Sequence, residues 1–367
     1  MRKPTIHPRL GFVGPMVGRH PGHTTMQGQI LSDLFVQAGY TVVSASAKLN
    51  RYARLLDIVR TLVGARNQID VLVIEVYGGP SFVIEDIASW LGRRFGHQVV
   101  MWLHGGAMPE FMSRYPRWTK RVLRRADLLV APSTYLARAV EVHGLTASVI
   151  PNVIDLSSYS HRQRREILPR LFWMRSFHPI YNPELALRVF ARLRRSWPEA
   201  KLVMAGKDGG SESETRQLAE QLDLGTAVQF PGFLDMAAKA RIGQNSDIFL
   251  NTSRIDNMPV ALVEACAMGI PVVSTAVGGV PDMLANRHTG LLVADDNEEA
   301  MAGAVEELIA DPELAERLST NGRHIADRSS WEQVRPQWES IFYDLQERGL
   351  QNQLAGVTDE VHTEVFT

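Results

Sequence analysis

Two carboxylates, Asp256 and Glu264, are separated by seven residues in the stretch RIDNMPVALVEACAMG, residues 254–269. Apart from Glu264, every residue from Val260 to Met268 is apolar. Asn257 suits an N-cap, Pro259 fits a first turn, and Gly269 followed by Pro271 makes a stop, so the spacing predicts a helix over 258–268. On that helix Glu264 returns to nearly the same face as Asn257, displaced by roughly 10 Å along the axis. Amides at a helix start suit anionic or hydroxyl-rich ligands, and a glutamate farther along accepts bonds from vicinal hydroxyls. A nucleotide sugar offers both, with a diphosphate between two polyols. The alternative is structural: Asp256 complements the helix dipole while Glu264 is solvated on an exposed stripe.

The elements that must position this pair are strands alternating with amphipathic stretches. The first half gives candidate strands at 10–14, 41–46, 70–76, 98–104, 127–133 and 148–153. The second gives 170–175, 201–206, 227–233, 247–253, 271–275 and 289–295. Two such sets imply two doubly wound α/β domains with parallel sheets, facing across a cleft, with ligands expected at the carboxyl ends of the strands. We expect an N-terminal domain over 1–160 and a C-terminal domain over 161–335, joined through the polar stretch DLSSYSHRQRREILP (155–169). A terminal helix interrupted near Pro336 is expected to cross back to the first domain over 336–349, with a loose tail at 350–367.

Composition bounds the class. The chain has 367 residues, 45% hydrophobic and 22% charged, as in a soluble globular protein of two domains. No apolar run reaches the roughly 18 to 20 residues of a membrane span, and no signal-peptide core opens the chain, so a cytoplasmic location is expected. The single cysteine, Cys266, reads as a small core residue and leaves no cysteine-clustered metal site. The net charge of −1 conceals a division: residues 1–165 hold 21 Lys plus Arg against 10 Asp plus Glu, and the remainder 18 against 30. A basic first half suits an anionic partner or the opposite charge of the second half. In SRYPRWTKRVLRRAD (113–127), Arg114, Arg117, Arg121 and Arg124 recur at helical spacing beside Trp118. They form either a solvated stripe or a surface for an anionic acceptor or membrane face.

Further residues sit where chemistry could be done. His104 ends the fourth strand before two glycines and could donate to a ligand hydroxyl, or serve as a capping or core histidine. Arg175 closes the first strand of the second half, where a guanidinium can pair with a diphosphate and stabilise it as it leaves. Lys207 ends the next strand and could share that task, or be an ordinary loop lysine. The glycines at 14, 18, 22 and 28 do not fit GxGxxG, and no GxxxxGK[ST] occurs, so a nicotinamide dehydrogenase is the weakest reading.

The stretch SRIDNMPVALVEACAMGIPVVSTAVGGVPDML (253–284) resembles the signature of family 4 glycosyltransferases, which carry two glutamates separated by seven residues. Asp256 takes the first position and Glu264 the second. The resemblance implies the twin-Rossmann GT-B fold and retaining transfer from a nucleotide diphosphate-sugar, with UDP favoured, to an acceptor hydroxyl in polysaccharide or glycolipid synthesis. No DxD-type metal motif appears in a matching position, and helix amides with Arg175 could neutralise the leaving diphosphate, so no metal is expected. In that family the first acid and the loop backbone after it, here Asn257, Met258, Pro259 and Val260, lie at the donor sugar, and the second acid holds the ribose. By the same resemblance His104 lies beside the sugar, Gly22 and His23 align with a glycine pair that approaches the phosphates, and Phe233 and Leu234 present backbone to the base. The family's arginine is followed by a lysine on the phosphate. Here Tyr181 stands near that place, and Lys207 is a candidate substitute. Rival readings are a nucleotide-sugar epimerase of the same fold and a nucleotide-sugar-binding protein with degraded catalysis. The expected partners are the donor and a sugar, lipid-linked or small-molecule acceptor, with peripheral membrane contact through the basic first domain and no nucleic acid.

Overall fold

The computed structural model describes residues 7–20 and 22–364, the side chains of residues 350 and 352–364 excepted. The chain forms two compact units: Met1–Val153 with Val334–Thr367, and Ile154–Gln333.

Unit 1 is built on a six-stranded parallel sheet: β1 (Leu10–Val13), β2 (Val42–Ala45), β3 (Val71–Val76), β4 (Gln98–Leu103), β5 (Leu128–Ala131) and β6 (Ala147–Val149). Their order is β2-β1-β3-β4-β5-β6. The fully buried run VLVIEV of β3 is what a central parallel strand requires, since helices cover both faces of the sheet. The helices are α1 (Gln27–Gln37), α2 (Arg51–Gly64), α3 (Phe82–Arg94), α4 (Met108–Arg114), α5 (Pro116–Leu123) and α6 (Thr134–Glu141).

Unit 2 has a second parallel sheet: β7 (Arg170–Met174), β8 (Lys201–Ala205), β9 (Val228–Gly232), β10 (Ile248–Asn251), β11 (Val272–Thr275) and β12 (Leu291–Val293). Its order, β12-β11-β10-β7-β8-β9, is the dinucleotide-fold order 3-2-1-4-5-6 read from the other edge. Pro231 is tolerated in β9 because that strand is an edge. Its helices are α7 (Pro183–Leu193), α8 (Glu212–Gln221), α9 (Met236–Gln244), α10 (Val260–Ala267), α11 (Val280–Met283), α12 (Glu298–Ala310) and α13 (Pro312–Arg328). The last helix, α14 (Trp331–Glu364), begins in unit 2 and continues in unit 1. Among the described residues no helix is long and apolar enough to cross a membrane.

Every apolar run read as a strand contains one except 148–153, which β6 overlaps only at Ser148 and Val149. The boundary differs: the division falls at 153/154, not 160/161, because the polar stretch after Val153 is bound into unit 2. Ile154 donates its amide to Ser329, and the fully buried Arg164 donates to the carbonyls of Gly243, Ser246 and Met268. The terminal helix is also uninterrupted, with Pro336 inside it and helical backbone through Glu364 where a loose tail was expected from 350. Residues 365–367 of that expected tail lie outside the described residues. Near the start of the helix, proline's missing N–H costs one bond, while Trp338 packs on Trp102 and Phe342 on Phe35 within unit 1.

Candidate active site

The strand order of unit 2 reverses between β7 and β10, and in an open parallel sheet such a switch point is where ligands lodge, outside the carboxyl ends. Arg175 follows β7 and Asp256 follows β10, so the sheet brings them together. Arg175 Nη2 donates to Asp256 Oδ2 at 2.5 Å, and the guanidinium lies 4.0 Å from the ring centroid of Tyr181. Asp256 Oδ1 accepts from the amide of Asn257 at 2.9 Å, and Ser253 Oγ donates to Oδ2 at 3.3 Å. Both charged side chains are largely buried, which strengthens their attraction and fixes their geometry. The buried Arg175 Nε has no partner among the described residues and remains a donor in search of an acceptor.

Two glycines permit this approach. Gly278 has φ +54°, and a Cβ there would lie 1.9 Å from the carbonyl oxygen of Asp256, while Gly279 donates its amide to that oxygen. A Cβ on Gly206 would lie 1.8 Å from the carbonyl oxygen of Arg175. The Gly-rich stretch after β11 therefore serves as the backbone cradle of the acid.

Glu264 lies on α10 and is buried. Its Oε1 accepts from Tyr159 Oη at 2.7 Å and from Lys239 Nζ at 2.6 Å. Burial and the neighbouring carboxylate hold the Tyr159 phenol well above its ordinary pKa, so it stays a donor. Sequence reasoning missed both partners, which lie 105 and 25 residues away from Glu264. Asn257 is not the N-cap: Pro259 is, the helix spans Val260–Ala267, and no side chain caps its first turn. The pre-helical extended conformation of Pro259 is the physical reason, and it removes the common helical face proposed for Asn257 and Glu264. Asn257 is buried, whereas Met258 and Val260 are partly exposed. Lys207 is exposed beyond β8, the strand beside β7, with no ion pair among the described residues. Phe233 is exposed before α9, and Leu234 is in the core, so its side chain is not available to a ligand.

Unit 1 has its own switch point, between β1 and β3, and Glu75 of β3 is buried there. Glu75 Oε1 accepts from the amide of Gly28 at 2.8 Å and from Tyr77 Oη at 3.1 Å, and lies 3.5 Å from His104 Nε2. Tyr77 stacks on His104 with centroids 5.1 Å apart. Burial lowers the His104 pKa to about 3, leaving a neutral imidazole whose Nε2 has no hydrogen-bond partner among the described residues. Burial also raises the pKa of Glu75 to about 7 and that of Glu85 to about 8. Gly22 has φ +73° with open space where a Cβ would stand, and His23, four residues before the start of α1, donates its amide to the His20 carbonyl. Outside the β3 and β4 ends lies an open cavity of about 590 Å³, lined by Tyr77, Met108, Phe111, Tyr115 and Trp118, with Glu110 and Arg114 among its polar residues. Among the described residues no group of three or more His, Cys, Asp or Glu side chains is placed to hold a metal ion.

The arginine stripe is not one helix. Arg114 ends α4, Tyr115 breaks the helix before Pro116, Arg117 and Arg121 lie on α5, and Arg124 is its C-cap. Trp118 turns inward against Phe82 and donates Nε1 to Asp86, which also pairs with Arg121 and Arg125. One acid on α3 thus absorbs the aromatic and part of the charge that the spacing had aligned.

The two parallel α/β units form the GT-B fold, with an arginine and a carboxylate at the switch point of unit 2. Residues 163–325 match the family model for glycosyl transferases group 1. N-acetyl-alpha-D-glucosaminyl L-malate synthase of Bacillus anthracis is 25% identical over 302 residues, covering 77% of each chain. Phosphatidyl-myo-inositol mannosyltransferase of Mycolicibacterium smegmatis is 26% identical over 230 residues, 61% of this chain and 58% of that one. The crystal structure of Anabaena HepE in complex with UDP and glucose shares the fold at a TM-score of 0.73 and 18% identity, covering 92% of this chain and all of that one. The chain is a glycosyltransferase.

Proposed function

We propose that the enzyme transfers a sugar from a UDP-sugar to an acceptor hydroxyl with retention of anomeric configuration, as a member of family 4. The observation that carries this reading is the Arg175–Asp256 pair at the unit 2 switch point, with the acceptor oxygens of Glu264 farther along α10. HepE, which shares the fold, binds UDP and glucose, and this supports the same donor class here. In the proposed step the acceptor oxygen bonds to the anomeric carbon as the bond to UDP breaks, and a departing phosphate oxygen takes the acceptor proton on the same face. Arg175 and the uncapped amides of α10 stabilise the leaving charge, which makes a metal unnecessary. In unit 2 Asp256 orients sugar hydroxyls, Glu264 grips the ribose, and Lys207 and the backbone at Phe233 and Leu234 complete the donor site, while within unit 1 neutral His104 and the Gly22–His23 backbone offer polar groups to a sugar ligand. A sugar, lipid-linked or small-molecule acceptor is assigned to the aromatic cavity of unit 1, where Glu110 and Arg114 can order its polar end.

A thermal-shift panel of nucleoside diphosphates and their sugars identifies the donor, since the true one raises Tm. Transfer is then followed with and without acceptor and chelator, and the product anomer is read by NMR. Unchanged transfer in both Arg175→Ala and Asp256→Asn would overturn the assignment, and conversion of donor without acceptor would point to an epimerase.

A further inference from the structure

Thirteen large apolar side chains are exposed among the described residues, and six of them gather on one part of unit 1. Leu49 precedes α2, Tyr52, Leu56 and Val63 lie on it, and Val83 and Trp90 lie on α3, which packs against α2. Tyr52, Leu56 and Val63 follow the i, i+4, i+11 spacing of a single helical face, and Val83 and Trp90 the i, i+7 spacing of another. The core does not need these faces, because α2 already buries Ile58 and Leu62 toward the sheet. Tyr52 is 69% exposed and Trp90 55%, fractions that leave most of each ring in water. Such a grouping marks an interaction surface, whereas single exposed apolar residues do not.

The charges around it select the partner. Lys48, Arg51, Arg60 and Arg66 are exposed on or beside α2, and none of them makes an ion pair among the described residues. Arg54 and Arg66 donate only to nearby carbonyls, and Arg51 lies over the Tyr52 ring at 5.0 Å. The one acid between residues 48 and 66, Asp57, is occupied by Ser46 Oγ. On α5, by contrast, Arg121 shares Asp86 with Arg125 and Trp118 is turned inward, so the cations there flank no comparable apolar face. A second copy of the chain docked through this face would bring four uncompensated cations against four more. A surface with apolar side chains at its centre and free cations at its rim fits a layer of anionic headgroups over acyl chains.

We infer that α2 and the adjoining exposed face of α3 dock unit 1 on a membrane surface containing anionic lipid. This goes beyond sugar transfer and stands whether or not the donor assignment holds. The full chain should co-sediment with vesicles of phosphatidylcholine plus phosphatidylglycerol at least tenfold more tightly than with phosphatidylcholine alone, and raised salt should weaken the binding. Each basic residue near such a surface is worth about fivefold in partitioning. Arg51→Ser with Arg60→Ser should therefore weaken binding about tenfold or more, and Tyr52→Ser with Leu56→Ser comparably. Both variants should keep the wild-type Tm and thermal response to UDP, while Arg117→Ser with Arg124→Ser should bind vesicles like wild type. Equal binding to both vesicle types would overturn the inference. So would retention of binding by both α2 variants, or a dimer in sedimentation that those variants abolish.

Discussion

Arg175 can meet a departing diphosphate only if its guanidinium is already fixed, and Tyr181 on one side with Asp256 on the other does this. Arg175→Ala removes the donor and strands a buried carboxylate, so kcat should fall about 10²- to 10³-fold, with a measurable drop in Tm. Arg175→Lys should recover little, since an ammonium cannot lie flat on Tyr181 while pairing with Asp256. Steady-state kinetics with a melting curve for each variant checks both. Glu264 should behave differently, because it binds part of the donor remote from the reacting bond. In Glu264→Gln the side-chain carbonyl still accepts from Tyr159 and Lys239 but loses its charge, so KM for the donor should rise about tenfold at nearly constant kcat. A fall in kcat at constant KM would remove the gripping role. In the sequence, an aspartate at 256 and a tyrosine at 181 looked like two separate departures from the family pattern. In the structure they meet through Arg175, a juxtaposition that no spacing along the chain conveys.

At the scale of elements, β7 and β10 position the pair, and the stretch between β11 and α11 holds the backbone of Asp256. Gly278→Ala would place a Cβ against the Asp256 carbonyl at a φ that side chains rarely adopt, at a cost of about 1 to 3 kcal/mol from the backbone alone. The expected outcome is a lower Tm together with activity lost beyond the unfolded fraction, because Asp256 must move to make room. Activity per folded molecule, with folding read by circular dichroism, decides this. The strands were legible, the central ones because burial on both faces makes a continuous apolar run flanked by turn residues, whereas the half-exposed edge strand β6 was placed too late in the chain. Helix ends were less so: the start of α10 was set by the extended backbone of Pro259, and the basic stretch at 113–127 broke at Tyr115 because Pro116 begins a new helix. The polar stretch after Val153 read as a linker because the carbonyls that bury Arg164 come from distant residues of unit 2.

The chain as a whole divides its charge, with the basic half also holding the buried acids Glu75 and Glu85. Their folded pKa values, about 7 and about 8, lie above the ordinary carboxylate value of 4.5. The folded state therefore keeps protons that the unfolded chain releases, and the associated stability, fully present below pH 4.5, is lost as pH rises toward 7 and 8. His104, lowered to about 3, has the opposite sign and costs stability as pH falls below 6.5, as do the buried His97 and partly buried His161. Between pH 4.5 and 6.5 these contributions oppose one another. From pH 6.5 to 8 the histidines are neutral in the fold, while the unfolded chain sheds their remaining protons by about pH 7.5, which offsets part of the decline from the two glutamates. Over that window stability should fall by about 1 kcal/mol, which for a unit of this size is a drop in Tm of about 2 to 4 °C. Glu85→Gln should flatten most of the decline, and Glu75→Gln the part between pH 6.5 and 7, where Gln can still accept from Gly28 and Tyr77. Calorimetry of the three proteins across the window tests this. A wild-type Tm that stays level or rises from pH 6.5 to 8 would mean that both acids ionise freely within the fold.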